Sequence, residues 1–415
     1  MDWKIPSLKD LEHYYWRCTA CGTCRSAYDY GPPPSARPIC PSGTEFGFEG
    51  YYSSKGKAAY ARGISDGSLT FDDPDFLEAI YRCTVCGGCQ NQCQVDYKPH
   101  IPEVIEAMRR EAVKSGAGPM PLQKNLVQSM KNYNNPYQGP RRVRLDWTRP
   151  FKKAKTPIKN INKEAAEVLF YVGCTGAFNK TAMSVPQATA RIFKKLGIDF
   201  GILGESEVCC GSTAMRVGDA QEFKRVATEN LETFRRLHDE KGVKTIVTSC
   251  AGCFRAIKKD YVLSSEYDPM MDGIEVVHTV QFLHRLMKDG NLTFKNELPW
   301  HVTYHDPCNI SRSGWILEQP RERVGREAPA VPPAPVGIAE HRTESRHGDE
   351  RHASRLEHLP DRHQGGSRVE HEVHGLRQHD AIEDIGRERV GREGPASPPA
   401  LVRADGARPK AGDYR

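Results

Sequence analysis

The chain has 415 residues, enough for two or three domains, and its formal net charge of +6 is too mild to indicate a nucleic-acid-binding protein. The sequence after Met1 lacks the apolar core of a secretory leader, and no apolar run approaches the roughly 20 residues that cross a bilayer. We therefore expect a cytoplasmic protein without a transmembrane segment of its own, in which the 14 cysteines are reduced. Clustered cysteines in that compartment favour metal binding over disulfides.

Two cysteine runs of the form C-x-x-C-x-x-C stand near the start of the chain. In this pattern three closely spaced thiolates wrap one face of a 4Fe–4S cubane, and a fourth thiolate arrives from elsewhere. Small glycines inside a run let backbone N–H groups approach the cluster. The two runs are Cys18, Cys21 and Cys24, and then Cys83, Cys86 and Cys89.

Cys40 and Cys93 are the candidates for the fourth position in each site. In two-cluster ferredoxins the fourth cysteine serves the other cluster, which pairs Cys93 with the first run and Cys40 with the second. Two departures from the ferredoxin pattern are the long gap before Cys40 and the Gln94 that follows Cys93 in place of proline. Zinc is the alternative, but zinc takes four ligands and a triple run leaves one cysteine over.

Helical patterns surround these runs, so residues 1–133 are predicted to be a helical, ferredoxin-type domain with two 4Fe–4S clusters. Residues 134–164 contain several prolines and a basic series that includes Arg141, Arg142 and Arg144. We predict a basic linker there, whose charges are either solvated or dock an acidic partner.

Strands and helices alternate from residue 165 to about residue 320. This alternation predicts an α/β domain with a largely parallel sheet, so that the fold as a whole is α+β. Ligands of such sheets bind beyond the carboxyl ends of the strands, and Cys174, Cys250 and Cys308 each follow a predicted strand. No glycine-rich nucleotide motif is present.

Two adjacent cysteines, Cys209 and Cys210, are followed by Gly211 in this region. Together with Cys174, Cys250 and Cys253 they form five thiolates on three loops, which are enough to hold a metal cluster. We expect the rest of the chain to serve as the scaffold and electron supply of this site.

The pair His305-Asp306 ends the last predicted strand. It is either a proton-handling pair, with His305 as a catalytic candidate, or a turn in which the aspartate caps a helix.

The segment from residue 321 to residue 415 differs in composition from the rest of the chain. It is rich in arginine, histidine and proline, and its only lysine is Lys410. Such a low-complexity sequence cannot bury enough apolar surface to offset its chain entropy, so we predict that it is disordered. An altered reading frame and a divergent tail are both consistent with it.

The combined motifs resemble the cysteine-rich CCG-domain family of iron–sulfur oxidoreductases. They are the two ferredoxin-type runs, followed by Tyr171–Cys174, Val208–Gly211, Ser249–Cys253 and His305–Cys308. The order is similar to that in the D subunit of heterodisulfide reductase, and related members are iron–sulfur subunits of glycolate oxidase and anaerobic glycerol-3-phosphate dehydrogenase. The resemblance covers residues 10 to 320.

The resemblance implies a noncubane 4Fe–4S cluster at Cys174, Cys209, Cys210, Cys250 and Cys253, where Cys209 and Cys210 take part in disulfide or thiol chemistry. The family's second motif begins at the position of Cys308, a possible remnant ligand, and does not continue here. We expect an oxidoreductase subunit that relays electrons through two cubanes to this cluster.

The alternative function is non-catalytic electron transfer in a complex of the flavin dehydrogenase or benzoyl-CoA reductase type, with transfer to quinone or a membrane cytochrome. A flavoprotein, a cytochrome membrane subunit or another iron–sulfur subunit would be the partner, and it would hold the protein at the inner face of the membrane. A structural zinc protein is the remaining alternative.

Overall fold

The computed structural model describes residues 1–29, 35–46, 53–294 and 305–312. The predicted disordered tail lies outside the described residues, and so do residues 301–304, which form the predicted strand before His305.

Short helices form the N-terminal part of the molecule, as predicted, and one two-stranded antiparallel sheet lies among them. Strands β1 (Ser26–Asp29) and β2 (Ser35–Pro38) form that sheet, which the sequence did not indicate. The helices are α1 (Glu12–Trp16), α2 (Pro41–Phe46), α3 (Ser54–Asp66), α4 (Pro74–Tyr81), α5 (Gly88–Gln92), α6 (Ile101–Lys114) and α7 (Pro121–Tyr133).

Helix α6 is the central element of the N-terminal core. Ile101, Val104, Ile105 and Met108 follow one another at helical spacing and are almost completely buried. Pro102 lies in the first turn, where its missing N–H leaves no hydrogen bond unmade. The apolar face of α6 packs against α3 and α4, which places the cysteine loops between these helices.

The segment 134–164 is packed against the second part of the molecule, which differs from the linker that we predicted. A 3₁₀ helix covers Arg141–Thr148, and α8 (Arg149–Lys153) and β3 (Lys159–Asn160) follow it. Trp147 is 1% exposed and lies in one core with Phe170 and other sheet residues. The prolines and charges of the segment predict solvent exposure, but Trp147 and Phe151 are buried.

The second part is an α/β domain around a five-stranded sheet in which every pair is parallel, as predicted. The strand order is β3-β5-β4-β6-β7. The remaining strands are β4 (Val168–Phe170), β5 (Phe200–Ile202), β6 (Thr245–Thr248) and β7 (Glu275–His278). The helices are α9 (Gly173–Phe178), α10 (Ser184–Lys195), α11 (Ser212–Val217), α12 (Ala220–Lys241), α13 (Ala251–Arg255), α14 (Tyr267–Met271), α15 (Thr279–Lys288) and α16 (Cys308–Ser311).

Helix α12 shows how the sequence sets an element of this domain. The Asp219 side chain accepts a hydrogen bond of 2.8 Å from the Glu222 N–H at the first turn, and Gly242 ends the helix with a left-handed φ of 74°. Phe223, Val226 and Phe234 lie on its buried face. The helix therefore packs on the sheet next to the loops that carry the cysteines.

A buried ionic network joins the two parts of the molecule. Glu106 of α6 forms ion pairs with Arg216 and Arg255, and Asp260 pairs with Arg216. Arg109 donates hydrogen bonds to the Ile80 and Arg216 carbonyls, and so connects α4 with α11. Because buried charges are retained only where they are paired, the two parts depend on each other for the stability of this contact.

Candidate functional site

The loops that carry the five cysteines meet at the carboxyl edge of the parallel sheet. Strand β4 leads to Cys174, β5 leads to the loop of Cys209 and Cys210, and β6 leads to Cys250. All five thiols line one cavity of about 440 Å³. The other lining residues are Leu126, Pro136, Tyr137, Thr175, Ser212, Thr213 and Gly252.

Two glycines allow these loops to approach one another. Gly173 has φ +77°, and a Cβ at this position would lie 2.8 Å from the Sγ of Cys253. Gly211 has φ +80°, and its Cβ would lie 2.9 Å from side-chain atoms of Phe223 and Val226. Both positions therefore require glycine for its backbone conformation and for its small size.

Buried side chains hold the loop of Cys209 and Cys210 by its carbonyl oxygens. Asn230 donates to the Cys209 carbonyl at 3.0 Å, and the Tyr261 hydroxyl donates to the Cys210 carbonyl at 3.0 Å. Asn230 also donates to the Tyr261 hydroxyl oxygen at 3.1 Å, so the two side chains form one network. This network leaves the thiols free to face the cavity.

The thiols of the site share protons through hydrogen bonds to one another. The Cys209 thiol, and then that of Cys253, lower the pKa of Cys210 to about 6, and the Cys253 thiol lowers the pKa of Cys250 to about 6. The hydrogen bond that Cys174 donates to Cys209 raises the pKa of Cys174 well above its usual value, and burial adds to this effect. The hydrogen bonds that Cys209 and Cys253 donate within the group, together with burial, raise the pKa of each of these thiols. Thiolates are the form that binds metal, so ligation by all five cysteines would release protons from Cys174, Cys209 and Cys253.

A buried ion pair that the sequence did not single out lies beside Cys174. Arg144 donates hydrogen bonds to the Glu207 carboxylate at 2.6 Å and to the Cys174 Sγ at 3.3 Å. In the sequence Arg144 is one of a series of basic residues, and no local signal separates it from its solvated neighbours.

The two N-terminal runs lie in separate groups. Each group also contains the single cysteine that follows the other run in the sequence. Cys40 lines one cleft with Cys83, Cys86 and Cys89. Burial raises the pKa of Cys93, and negative charge on Cys18 and Cys21 raises it further. Thus Cys93 is near the first run, which is the arrangement that the crossover assignment requires. Which cysteines bind iron stays a prediction.

Several donors lie where sulfur atoms of a cluster would need them. Gly43 donates its N–H to the Cys40 Sγ at 3.4 Å, and Val85 donates to the Cys83 Sγ at 3.4 Å. Among the described residues, Nε and Nη1 of Arg312 are buried without a hydrogen-bond partner. A Cβ on Gly88 would lie 3.6 Å from both the Arg312 Nη1 and the Cys86 Sγ. An anionic cluster would give the Arg312 nitrogens an acceptor, so the residues fit a 4Fe–4S group.

Within the described part of the chain, no three His, Cys, Asp or Glu side chains converge closely enough to hold a single metal ion. The ligand sulfurs of a 4Fe–4S cluster lie farther apart than those of a single metal ion, because the cluster lies between them. His305 is exposed. Neither it nor Cys308 is among the residues that line the five-cysteine cavity. The structure does not bring these two candidates to the site.

Comparison with known families identifies both cysteine regions. Residues 16–97 match the 4Fe-4S dicluster domain, and residues 168–258 match the Cysteine-rich domain, CCG. No solved structure matches the chain. No helix within the described ranges combines the length and apolarity that crossing a membrane requires.

Similar proteins are subunits or members of redox systems. The D subunit of dihydromethanophenazine:CoB--CoM heterodisulfide reductase from Methanosarcina mazei is 35% identical over 60% of this chain and 56% of its own length. EtfAB:quinone oxidoreductase of Syntrophomonas wolfei is 32% identical over 59% of this chain and 33% of its own length. A probable membrane-anchored ferredoxin of Chromohalobacter salexigens is 27% identical over 59% of this chain and 35% of its own length.

The matched region spans little more than half the length of the heterodisulfide reductase protein and about a third of the other two relatives. These matches confirm the predicted order of the domains and relate the chain to the iron–sulfur subunits of oxidoreductases. The chain contains a 4Fe–4S dicluster domain followed by a CCG cysteine-rich domain, and with these it resembles the CCG-domain iron–sulfur oxidoreductases.

Proposed function

We propose that the protein is a heterodisulfide reductase-like electron-transfer subunit that reduces or oxidises a disulfide or thiol substrate at its five-cysteine site. The observation that carries this proposal is the convergence of all five thiols on one cavity at the sheet edge. Its similarity to a heterodisulfide reductase protein supports the substrate class.

Two cubanes and one noncubane 4Fe–4S cluster are the proposed cofactors. Cys18, Cys21, Cys24 and Cys93 would hold one cubane, and Cys83, Cys86, Cys89 and Cys40 the other. Cys174, Cys209, Cys210, Cys250 and Cys253 would hold the noncubane cluster. When bound, the clusters supply one-electron redox chemistry.

The chain's own residues would shape access to the third cluster. Tyr137 and Thr175 lie at the cavity and share a hydrogen bond of 2.9 Å between their hydroxyl groups. Leu126 adds apolar surface to the same cavity. A thiol substrate would therefore meet both hydroxyl donors and apolar surface beside the cysteines.

Selective removal of one cluster tests the proposed site. Wild-type protein prepared without oxygen should contain about 12 irons, four for each of three clusters. Cys210→Ala should lose about four irons and the EPR signal seen after thiol oxidation, while the reduced signals of the cubanes remain. Cys86→Ala is the matched control and should damage a cubane while sparing the other signal. Full iron content and full activity in Cys210→Ala would contradict the proposal, and stoichiometric zinc would favour the structural alternative.

Electron transfer from a flavoprotein to a quinone pathway is the second candidate function. The similarity to EtfAB:quinone oxidoreductase favours it. A partner with a membrane subunit would then hold the protein at the membrane surface. Reduction of a small-molecule disulfide by reduced viologen, compared with oxidation of a reduced electron-transfer flavoprotein, would distinguish the two functions.

A further inference from the structure

Arg144 and Glu207 form an ion pair inside the CCG domain, next to the proposed cluster. The two residues are only 3% and 4% exposed. Burying two charges is unfavourable unless good geometry and further hydrogen bonds compensate for the lost hydration. A solvated surface charge, which the basic series of residues 134–164 predicts, therefore does not explain this buried pair.

The Glu207 carboxylate connects two of the cysteine loops. It accepts hydrogen bonds from the N–H groups of Val172 at 3.1 Å and Gly173 at 2.8 Å, just before Cys174. Glu207 itself lies two residues before Cys209. The carboxylate thus fixes the distance between the Cys174 loop and the loop that carries the adjacent cysteines.

Arg144 completes this arrangement from outside both loops. One guanidinium nitrogen donates to the Glu207 carboxylate, and the other donates to the Cys174 Sγ at 3.3 Å. The Cζ of Arg144 lies over the ring of Phe178 at 5.1 Å from its centroid, a cation–π contact that adds to the two hydrogen bonds. A lysine has no fork and could not make both hydrogen bonds in this way.

These contacts determine how much positive charge the Cys174 sulfur experiences. The Glu207 carboxylate is shared among Arg144 and two backbone donors, whereas the second Arg144 nitrogen is directed at a sulfur. A hydrogen bond from a cation withdraws electron density from a thiolate ligand. Because an added electron is then better stabilised, such bonds raise the reduction potential of an iron–sulfur cluster.

We propose that Arg144 is a positioning residue that raises the reduction potential of the cluster at the five-cysteine site, while Glu207 moderates this effect and joins the two loops. This inference rests on the proposed function, because it requires a cluster bound at Cys174. It assigns a role to a residue outside both cysteine motifs.

The test measures midpoint potentials by EPR-monitored redox titration, together with iron content. The neutral double variant R144M/E207Q should lower the potential of the CCG-site cluster, whereas E207Q alone should raise it, since the arginine charge loses its counter-charge. R144K should give a smaller decrease than the double variant. The potentials of the cubanes should stay at their wild-type values in all three proteins.

An exposed pair of the same domain provides the matched control. Arg285 and Glu275 form two hydrogen bonds of 2.6 Å and are about half exposed. R285M/E275Q should leave the CCG-site potential unchanged. A potential equal to that of wild type in an iron-replete R144M/E207Q protein would overturn the inference.

If the double variant loses iron, E207Q decides, because an unchanged or lowered potential in that protein contradicts the proposal. The proposed function itself would be contradicted by a separate observation, which is made on the wild-type protein. In that case wild-type protein would lack any signal that Cys210→Ala removes, and no potential could be assigned to this site.

Discussion

The two cysteine regions of the molecule are built in different ways. In the dicluster domain, six of the candidate ligands come from two short runs, and Cys21 is exposed to solvent. In the CCG domain the five candidates come from three loops, and four of them are buried. Local spacing brings the first group together, whereas tertiary contacts bring the second group together. Disturbance of the surrounding protein should therefore affect the CCG site more than the dicluster sites.

The largest expected effect comes from Gly173→Ala, because its Cβ would lie 2.8 Å from the Cys253 Sγ. We expect loss of the CCG-site cluster, about four irons, with both cubane signals retained. Gly67→Ala is the control, since Gly67 has a similar φ of +78° and open space around it. The control carries the same backbone strain, about 1 kcal/mol, without the clash. Equal iron contents in the two variants would show that the close approach of the loops is not required.

Acidification should weaken the CCG domain through His278. Burial lowers the pKa of His278 to about 4, and its ring bonds the Ser249 carbonyl at 3.1 Å. The unfolded chain binds this proton more readily, so stability is lost as pH falls from about 6.5 towards 4, by up to about 3 kcal/mol. His278→Gln should have a flatter dependence of unfolding free energy on pH in this range. Parallel curves for the two proteins would contradict this prediction.

Removal of the Asn230 side chain should have the next largest effect. Asn230→Ala leaves the buried Cys209 carbonyl without this donor, which costs about 1–3 kcal/mol. We expect faster loss of the CCG-site cluster to an iron chelator and an unchanged rate for the cubanes. Asn162→Ala is a control in the same domain, because Asn162 bonds the Leu203 carbonyl away from the cysteines. Similar chelation rates in both variants would rule out a specific role for the buried network.

The smallest effect concerns the order in which the wild-type clusters are lost. Cys21 is the exposed candidate ligand of the first cubane, where Cys24 and Cys93 are buried, whereas Cys40, Cys83, Cys86 and Cys89 are each partly covered. We therefore expect oxygen to damage the cubane of the first run before that of the second, by a modest factor in rate. Time-resolved EPR after brief exposure to air would measure the order. Earlier loss of the second cubane would contradict the idea that exposure of a ligand cysteine makes its cluster more sensitive to oxygen.

The local elements of this fold are largely predictable from the sequence. Helix α12 and strands β6 and β7 belong to the alternation of strands and helices predicted from residue 165 to about residue 320, since apolar spacing and the cap of α12 are local signals. The parallel sheet and its cysteine-bearing edge follow from the alternation of strands and helices. The grouping of cysteines in the dicluster domain follows from spacing in the same way.

The polar scaffold of the CCG site is not predictable in this way. Arg144 and Glu207 are 63 residues apart, and each has the same residue type as many solvated neighbours. Asn230 lies on an amphipathic helix, where a polar residue ordinarily faces solvent. Their burial depends on the tertiary packing of several elements, which leaves no short-range pattern. The same dependence on tertiary packing explains why the sequence of residues 134–164 predicts a linker, although Trp147 and Phe151 pack in the core of the sheet.

The buried network of Glu106, Arg216, Arg255 and Asp260 has a consequence for protein engineering. Two acids and two bases balance one another there, and their residues are divided between the dicluster and CCG domains. A graft of either domain onto another scaffold would leave part of this set in an apolar surface without its counter-ions. The unit that can be transplanted is therefore the pair of domains, and a chimera would need to exchange Glu106 together with the arginines that it contacts.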